Sequence, residues 1–265
     1  MIRVFVEGVG VLGPGLQGWE AARRFLAGEE PFRSASTVIG PSELLPPAER
    51  RRTPVPVKLA LAVGQEAFQN AGRDAAATAT VFTSSSGEGE TLHHMCEALA
   101  SAEREVSPTR FHNSVHNAAA GYWGIATRSR EASTSLCAYD ASFTAGLVEA
   151  AAQVASSGKP VALIAYDQPY PEPLHAARPL LASFGTALVL APEATRRASA
   201  KFELAVLPGD EKPTGMSDSG LEELRLGVPA ARALPLLEIL ARNTHGDVVF
   251  DFPTETRLRI IVSPC

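Results

Sequence analysis

The stretch from Glu131 to Asp167, EASTSLCAYDASFTAGLVEAAAQVASSGKPVALIAYD, constrains the fold more than any other part of the chain. Ser133 to Cys137 is a short β-branched and apolar run, which Ala138-Tyr139-Asp140-Ala141-Ser142 breaks. From Phe143 to Ala155, apolar residues recur at helical spacing among small residues that allow close packing. Ser156-Ser157-Gly158 stops that helix, and Val161 to Ala165 is a compact apolar run suited to a strand covered on both faces. A strand that feeds a helix through a sharp turn is where α/β enzymes hold a nucleophile, because the helix N-terminus offers free N–H groups and a positive dipole end. The turn over 138–142 is therefore the first place to look for chemistry.

The remaining elements alternate in the same way. Ile2 to Gly10 reads as a strand, Val11 to Gly15 as a loop rich in turn formers, and Trp19 to Leu26 as a short amphipathic helix closed by Gly28. Ser34 to Pro56 is loop-like and proline-rich. Val57 to Ala71 is a helix with Leu59, Ala60, Val63, Ala67 and Phe68 on its buried stripe and Gly72 as its stop. Thr78 to Phe82 is a strand that enters the small hydroxylic loop Thr83 to Gly89, and Glu90 to Leu99 a helix. After a proline-rich loop from Tyr166 to Pro179, strands are expected over Phe184–Leu190 and Lys201–Leu207, then a polar linker over Asp210–Ser219. Val228 to Arg242 reads as a helix started late or kinked by Pro235, and Asp247–Phe252 pairs with Arg257–Val262 as a hairpin. The pattern predicts an α/β fold with a mixed sheet covered by helices on both faces.

Several functions are disfavoured at this level. A net charge of -5 with no long basic block argues against nucleic acid; Arg50-Arg51-Arg52 is the only dense positive patch, and it suits a solvated loop or an acidic partner. Gly8, Gly10 and Gly13 satisfy G-x-G-x-x-G, but Pro14 and Gly15 follow at once and no helix starts at the third glycine, so no nucleotide cofactor is expected. The serine-rich loop lacks a Walker lysine. His112 and His116 stand four apart without an H-E-x-x-H glutamate or a third ligand, so no metal is expected. Three widely spaced cysteines argue for a reducing compartment, and no apolar run has the length of a membrane span; the expected location is the cytoplasm.

Taken in order, these segments resemble the N-terminal half of a β-ketoacyl synthase of the thiolase-like fold. Val4 to Gly15 is similar to the family's opening strand and loop, Trp19 to Gly28 to its helix ending in L-x-G, and Lys58 to Gly72 to its helix ending in A-x-x-x-A-G. Val81 to Gly89 is similar to the G-T-S-x-G turn, and Phe111 to Gly121 to the segment that builds a dimer partner's pocket. Ser133 to Asp167 resembles the strand, nucleophile elbow and buried helix, and Arg178-Pro179 followed by Phe184 to Leu190 the R-P-F to G-A-G-A-L-V-L region. The resemblance covers about residues 2–207. It implies a ketosynthase-like half over 1–207 and a short remnant over 208–265, packed on the same domain, in place of the family's second half.

Two departures redirect the functional expectation. A gapless alignment of the elbow helix puts Ala141 where the family carries its acyl-accepting cysteine, and a methyl group forms no thioester. The H-x-T-G-T and N-x-F-G-F histidine motifs of the family's second half are missing, and His245 lies in an expected turn. The resemblance is thus to a chain length factor, a silent subunit that pairs with an active ketosynthase, and in particular to the truncated ketosynthase-like proteins of aryl polyene clusters. It implies Asp140, Ala141, Ser142 and Phe143 at a silent elbow beside the acyl tunnel, with Phe143 narrowing or ending a cavity. It places His112, Asn113, His116 and Asn117 near the dimer interface, a ketosynthase and an acyl carrier protein as partners, and no catalytic residue or cofactor. Two alternatives stand beside it. One is a stand-alone acyl-transfer enzyme using Cys137, expected inside the strand as a buried and inert thiol, or Ser142 at the helix start. The other is a homodimeric binding module without a ketosynthase partner.

Overall fold

Strand β1 (Ile2–Gly13) runs through the middle of the sheet and sends Val4, Val6, Val9 and Val11 into one core, a register shift between Val6 and Gly8 absorbing the odd step. The computed structural model describes all residues from Met1 to Cys265. The segment expected to loop out after Gly10 instead continues the strand, because Val11 and Leu12 pair with Thr186 and Gly185; the chain turns only at Pro14-Gly15 into β2 (Leu16–Gln17). Helix α1 (Trp19–Leu26) follows, then α2 (Pro47–Arg52) and α3 (Val55–Ala71). The proline-rich segment is therefore not all loop: Pro47 sits in the first turn of α2, where a missing N–H and a fixed φ suit a helix start. Next come β3 (Ala79–Thr83), α4 (Gly89–Ala100), α5 (Pro108–Asn113), α6 (Ala118–Thr127), β4 (Ser133–Leu136), α7 (Ser142–Ser157) and β5 (Val161–Asp167).

The second part of the chain holds α8 (Leu174–Ala177), β6 (Phe184–Ala191), β7 (Ala200–Pro208), α9 (Ser219–Gly227), α10 (Leu234–Arg242), β8 (Gly246–Phe252) and β9 (Thr256–Pro264). Helix α9 is missing from the sequence reading, although Asp218 caps it by accepting from the Gly220 and Leu221 N–H groups. The expected helix from Val228 divides into a 3-10 turn, Pro229–Ala233, and α10, so Pro235 marks a late start. The hairpin of β8 and β9 forms as expected and joins the sheet edge-on through β7.

The strands lie in the order β4-β3-β5-β6-β1-β7-β9-β8, with β2 beside β1. β3 runs parallel to β4 and β5, and the other neighbours are antiparallel. All of β5 is buried, and its residues alternate between two cores. Val161, Leu163 and Ala165 face the core built with α7 and α10; Ala162, Ile164 and Tyr166 face the one built with α3 and α6.

Gly8 and Gly10 serve this layering. A Cβ on Gly8 would stand 2.1 Å from the Ala67 carbonyl oxygen, and one on Gly10 2.1 Å from that of Val63, so α3 lies against β1 at a distance only glycine permits. Glu66 of α3 fastens the same junction. Its carboxylate accepts from the Val11 N–H at 2.9 Å and from the Trp19 N–H, which gives α1 the cap its own Gly18 cannot supply. Burial raises the Glu66 pKa against the lowering effect of those two bonds.

Candidate functional site

The elbow is fully formed. β4 ends at Leu136, one turn of 3-10 helix spans Tyr139–Ala141, and α7 starts at Ser142. Tyr139 holds φ at 54°, the left-handed region, which costs a bulky residue ~1–3 kcal/mol and persists only where neighbours enforce it. Here Ser142 enforces it: its Oγ donates to the Tyr139 carbonyl at 2.7 Å and accepts from the Ala138 N–H at 3.0 Å. Buried and bonded on both sides, the Ser142 hydroxyl is a structural clasp rather than a free nucleophile. Ala141 precedes it and presents only a methyl group.

Arg178 closes the elbow from the outside. Its guanidinium carbon lies 3.3 Å from the centroid of the Tyr139 ring, and Nη2 donates to Asp140 Oδ1 at 3.0 Å and to Ser85 Oγ. Tyr139 remains 63% exposed under this clamp. Cys137 corrects the sequence expectation. It lies one residue beyond the end of β4 and is exposed, with Sγ donating to the Ser85 carbonyl at 3.6 Å. The strand ends early because its one neighbour, β3, ends at Thr83, the partner of Leu136, and β4 is the free edge of the sheet with no second neighbour to pair Cys137.

Beneath the elbow lies a residue that the sequence reading passed over. Asp167, at the end of β5, is fully buried: Oδ1 accepts from Ser84 Oγ at 3.1 Å and the Ser85 N–H at 2.7 Å, and Oδ2 from the Ala230 N–H at 2.8 Å. Burial pushes its pKa up to about 7, although every one of these donors favours the carboxylate. A carboxylate closing an apolar strand was the available signal in the sequence. Ser84 Oγ in turn accepts from the Gly87 N–H at 2.9 Å, so Asp167 fixes the whole hydroxylic loop.

The other expected site residues fall into two groups. Phe143 is buried in the main core with its ring centroid 5.8 Å from that of Phe250. Asp140 and Thr144 line a cavity of about 20 Å³ with Arg225, Arg232 and Asp251, a polar space of roughly one water molecule. Asn113 is buried within the chain, donating to the Arg52 carbonyl at 3.0 Å and accepting from the Tyr122 hydroxyl at 3.0 Å. His116 Nε2 lies 3.0 Å from the Ser84 carbonyl, which makes it the donor. His112 and Asn117 are exposed, and the His112 ring meets that of Tyr122 edge-on with centroids 6.1 Å apart. Around them α4 exposes Leu92 and Leu99, α5 exposes Phe111, and the turn between α5 and α6 exposes Val115.

Comparison with known proteins gives this geometry a family. No curated protein matches the chain in sequence. Among solved structures, a chain of the ketosynthase (ApeO) in complex with its chain length factor (ApeC) from Xenorhabdus doucetiae aligns at a TM-score of 0.73 and 22% identity, covering 99% of this chain and 100% of that one. The ishigamide ketosynthase/chain length factor aligns at 0.70 and 15% identity, covering 100% and 99%. A type II acyl-carrier protein in complex with its ketosynthase bound to the hexaketide, AntDE:AntF, aligns at 0.75 and 11% identity, again covering 100% and 99%. These likenesses establish the thiolase-like ketosynthase fold. Residues 17–229 match the model of the β-ketoacyl synthase, N-terminal domain, and the chain belongs to that family.

Proposed function

We propose that the chain is a non-catalytic partner of a type II β-ketoacyl-ACP synthase, a chain length factor that shapes the acyl tunnel during chain elongation. The products would be aryl polyenes, fatty acids or polyketides. The carrying observation is an elbow built without its chemistry. The strand, strained turn and helix N-terminus are present, yet Ala141 stands where the family pattern has its cysteine, and Ser142 is spent on holding Tyr139. Claisen condensation needs a nucleophile and an oxyanion site, and Ala141 supplies no nucleophile.

The partner half of this reading draws on surface physics. β4 offers an unpaired edge, and α4 and α5 expose large apolar side chains that a second ketosynthase-like subunit would cover. His112, His116 and Asn117 lie on this side, with Asn113 holding α5 from within. Residues 1–207 would serve as the ketosynthase-like half and 208–265 as the reduced remnant of the second. The acyl chain would arrive on an acyl carrier protein. Co-production with each ketosynthase of the source organism tests this: co-elution as a one-to-one heterodimer supports it, whereas a homodimer that ignores every ketosynthase favours a binding module of another kind.

One observation favours a second reading. Cys137 is exposed beside the elbow rather than buried. A stand-alone acyl transferase would use this thiol, and turnover of an acyl-pantetheine thioester by the chain alone, abolished by Cys137→Ala, would establish it.

A further inference from the structure

Asp167 joins three segments that are far apart in sequence: the end of β5, the loop Ser84–Gly87 and the 3-10 turn Pro229–Ala233. A buried carboxylate with three donors is costly to disturb, because each donor loses its acceptor. The contacts continue outward from the loop it holds. Ser85 Oγ accepts from Arg178, which clamps Tyr139 and Asp140; the Ser85 carbonyl accepts from Cys137; and the Ser84 carbonyl accepts from His116. A single loop thus touches the elbow on one side and the α5–α6 junction on the other.

We propose that Asp167 is the positioning residue of the partner-facing surface, setting the Ser84–Gly87 loop so that the Arg178 clamp, Cys137 and His116 present one fixed arrangement to the other subunit. This rests on the partner reading above, but its geometric half concerns the chain alone. The C-terminal segment enters the same junction through the Ala230 N–H, in the 3-10 turn between α9 and α10.

The test uses the full chain in a Cys96→Ser, Cys265→Ser background, which leaves Cys137 as its only thiol. Asp167→Asn keeps the shape but gives one side of the junction an N–H facing another donor. Ser85→Ala keeps the Asp167 bond to the backbone and removes only the link to Arg178. Ile260→Val, in β9 and remote from the junction, is the control for general loosening.

Labelling of Cys137 by a chromogenic disulfide should change at least fivefold in Asp167→Asn and Ser85→Ala and less than twofold in Ile260→Val. Affinity for the co-eluting ketosynthase should fall at least tenfold in the first two variants. Unchanged labelling in both, or an equal change in the control, overturns the proposal, as does altered labelling with wild-type affinity. If the unmodified chain pairs with no ketosynthase, the partner reading fails, and the labelling comparison alone decides the role of Asp167.

Discussion

Helices α3 and α4 have similar apolar content and opposite fates. Ten of the seventeen residues of α3 are buried, and Gly72 in the left-handed conformation ends it as a glycine should. Of the twelve residues of α4 only Thr91 is buried, and Leu92 and Leu99, seven apart on one face, lie in solvent. The difference lies in what each helix faces. α3 lies on β1, β5 and β6 at the centre of the sheet, whereas α4 projects from the loop above β3, near the free edge that β4 leaves. A stripe of this kind that its own chain leaves exposed is the surface that the proposed pairing would cover.

The comparison can be broken first at the α3 contact. Gly8→Ala puts a methyl group against the Ala67 carbonyl oxygen, so α3 must lift from β1; we expect a loss of at least about 4 kcal/mol, read as failure to fold or collapse of the urea midpoint. Leu59→Ala, inside the α3 core, should cost about 2–5 kcal/mol in the same measurement. Leu92→Ser on α4 should change the stability of the isolated chain by less than about 0.5 kcal/mol, yet weaken ketosynthase pairing at least tenfold. Equal effects of the two leucine variants on the isolated chain would erase the contrast between the helices.

A smaller effect tests the loop that carries α4. Asp167 has a folded pKa raised to about 7 from 3.8, so the folded state holds this proton more tightly than the unfolded one. Its contribution to stability is complete below about pH 4 and is lost as pH rises through about 7. Urea unfolding at pH 5 and pH 8 should show the wild type losing stability across this interval and Asp167→Asn losing less. Glu222, held down to about 2 by its Arg225 hydrogen bonds, acts in the opposite direction only under strong acid and leaves this window clear. Smallest of all is Gly121→Ala in α6, where a new Cβ meets nothing within 4 Å and the unfolded chain loses freedom; a gain of about 0.5–1 kcal/mol is expected.

The central architecture was legible because its signals are local and repeated. β5, β6 and α3 announce themselves by uninterrupted or periodic apolar residues, and the hairpin of β8 and β9 by turn residues between two β-rich runs. The elbow was legible through the order of strand, turn and helix. What the sequence concealed was tertiary. Gly8 and Gly10 mimic a phosphate loop, and only the approach of α3 explains them. Cys137 reads as the last residue of a strand, but β3 stops at Thr83 and gives β4 no partner beyond Leu136. Asp167 gains its meaning from Ser84 and Ala230, which lie 83 and 63 positions away. Helix α9 escaped because it follows a polar linker and its few apolar residues show a pattern only once Asp218 is seen to cap it.

The central claim is that this elbow takes no acyl group. The most direct measurement is the intact mass of each subunit after incubation with an acylated carrier protein, with the chain alone and paired with its ketosynthase. The account predicts an acyl adduct on the ketosynthase and none on this chain in either sample. An adduct on this chain that disappears in Cys137→Ala would contradict it and make the exposed thiol beside the elbow the nucleophile of an enzyme.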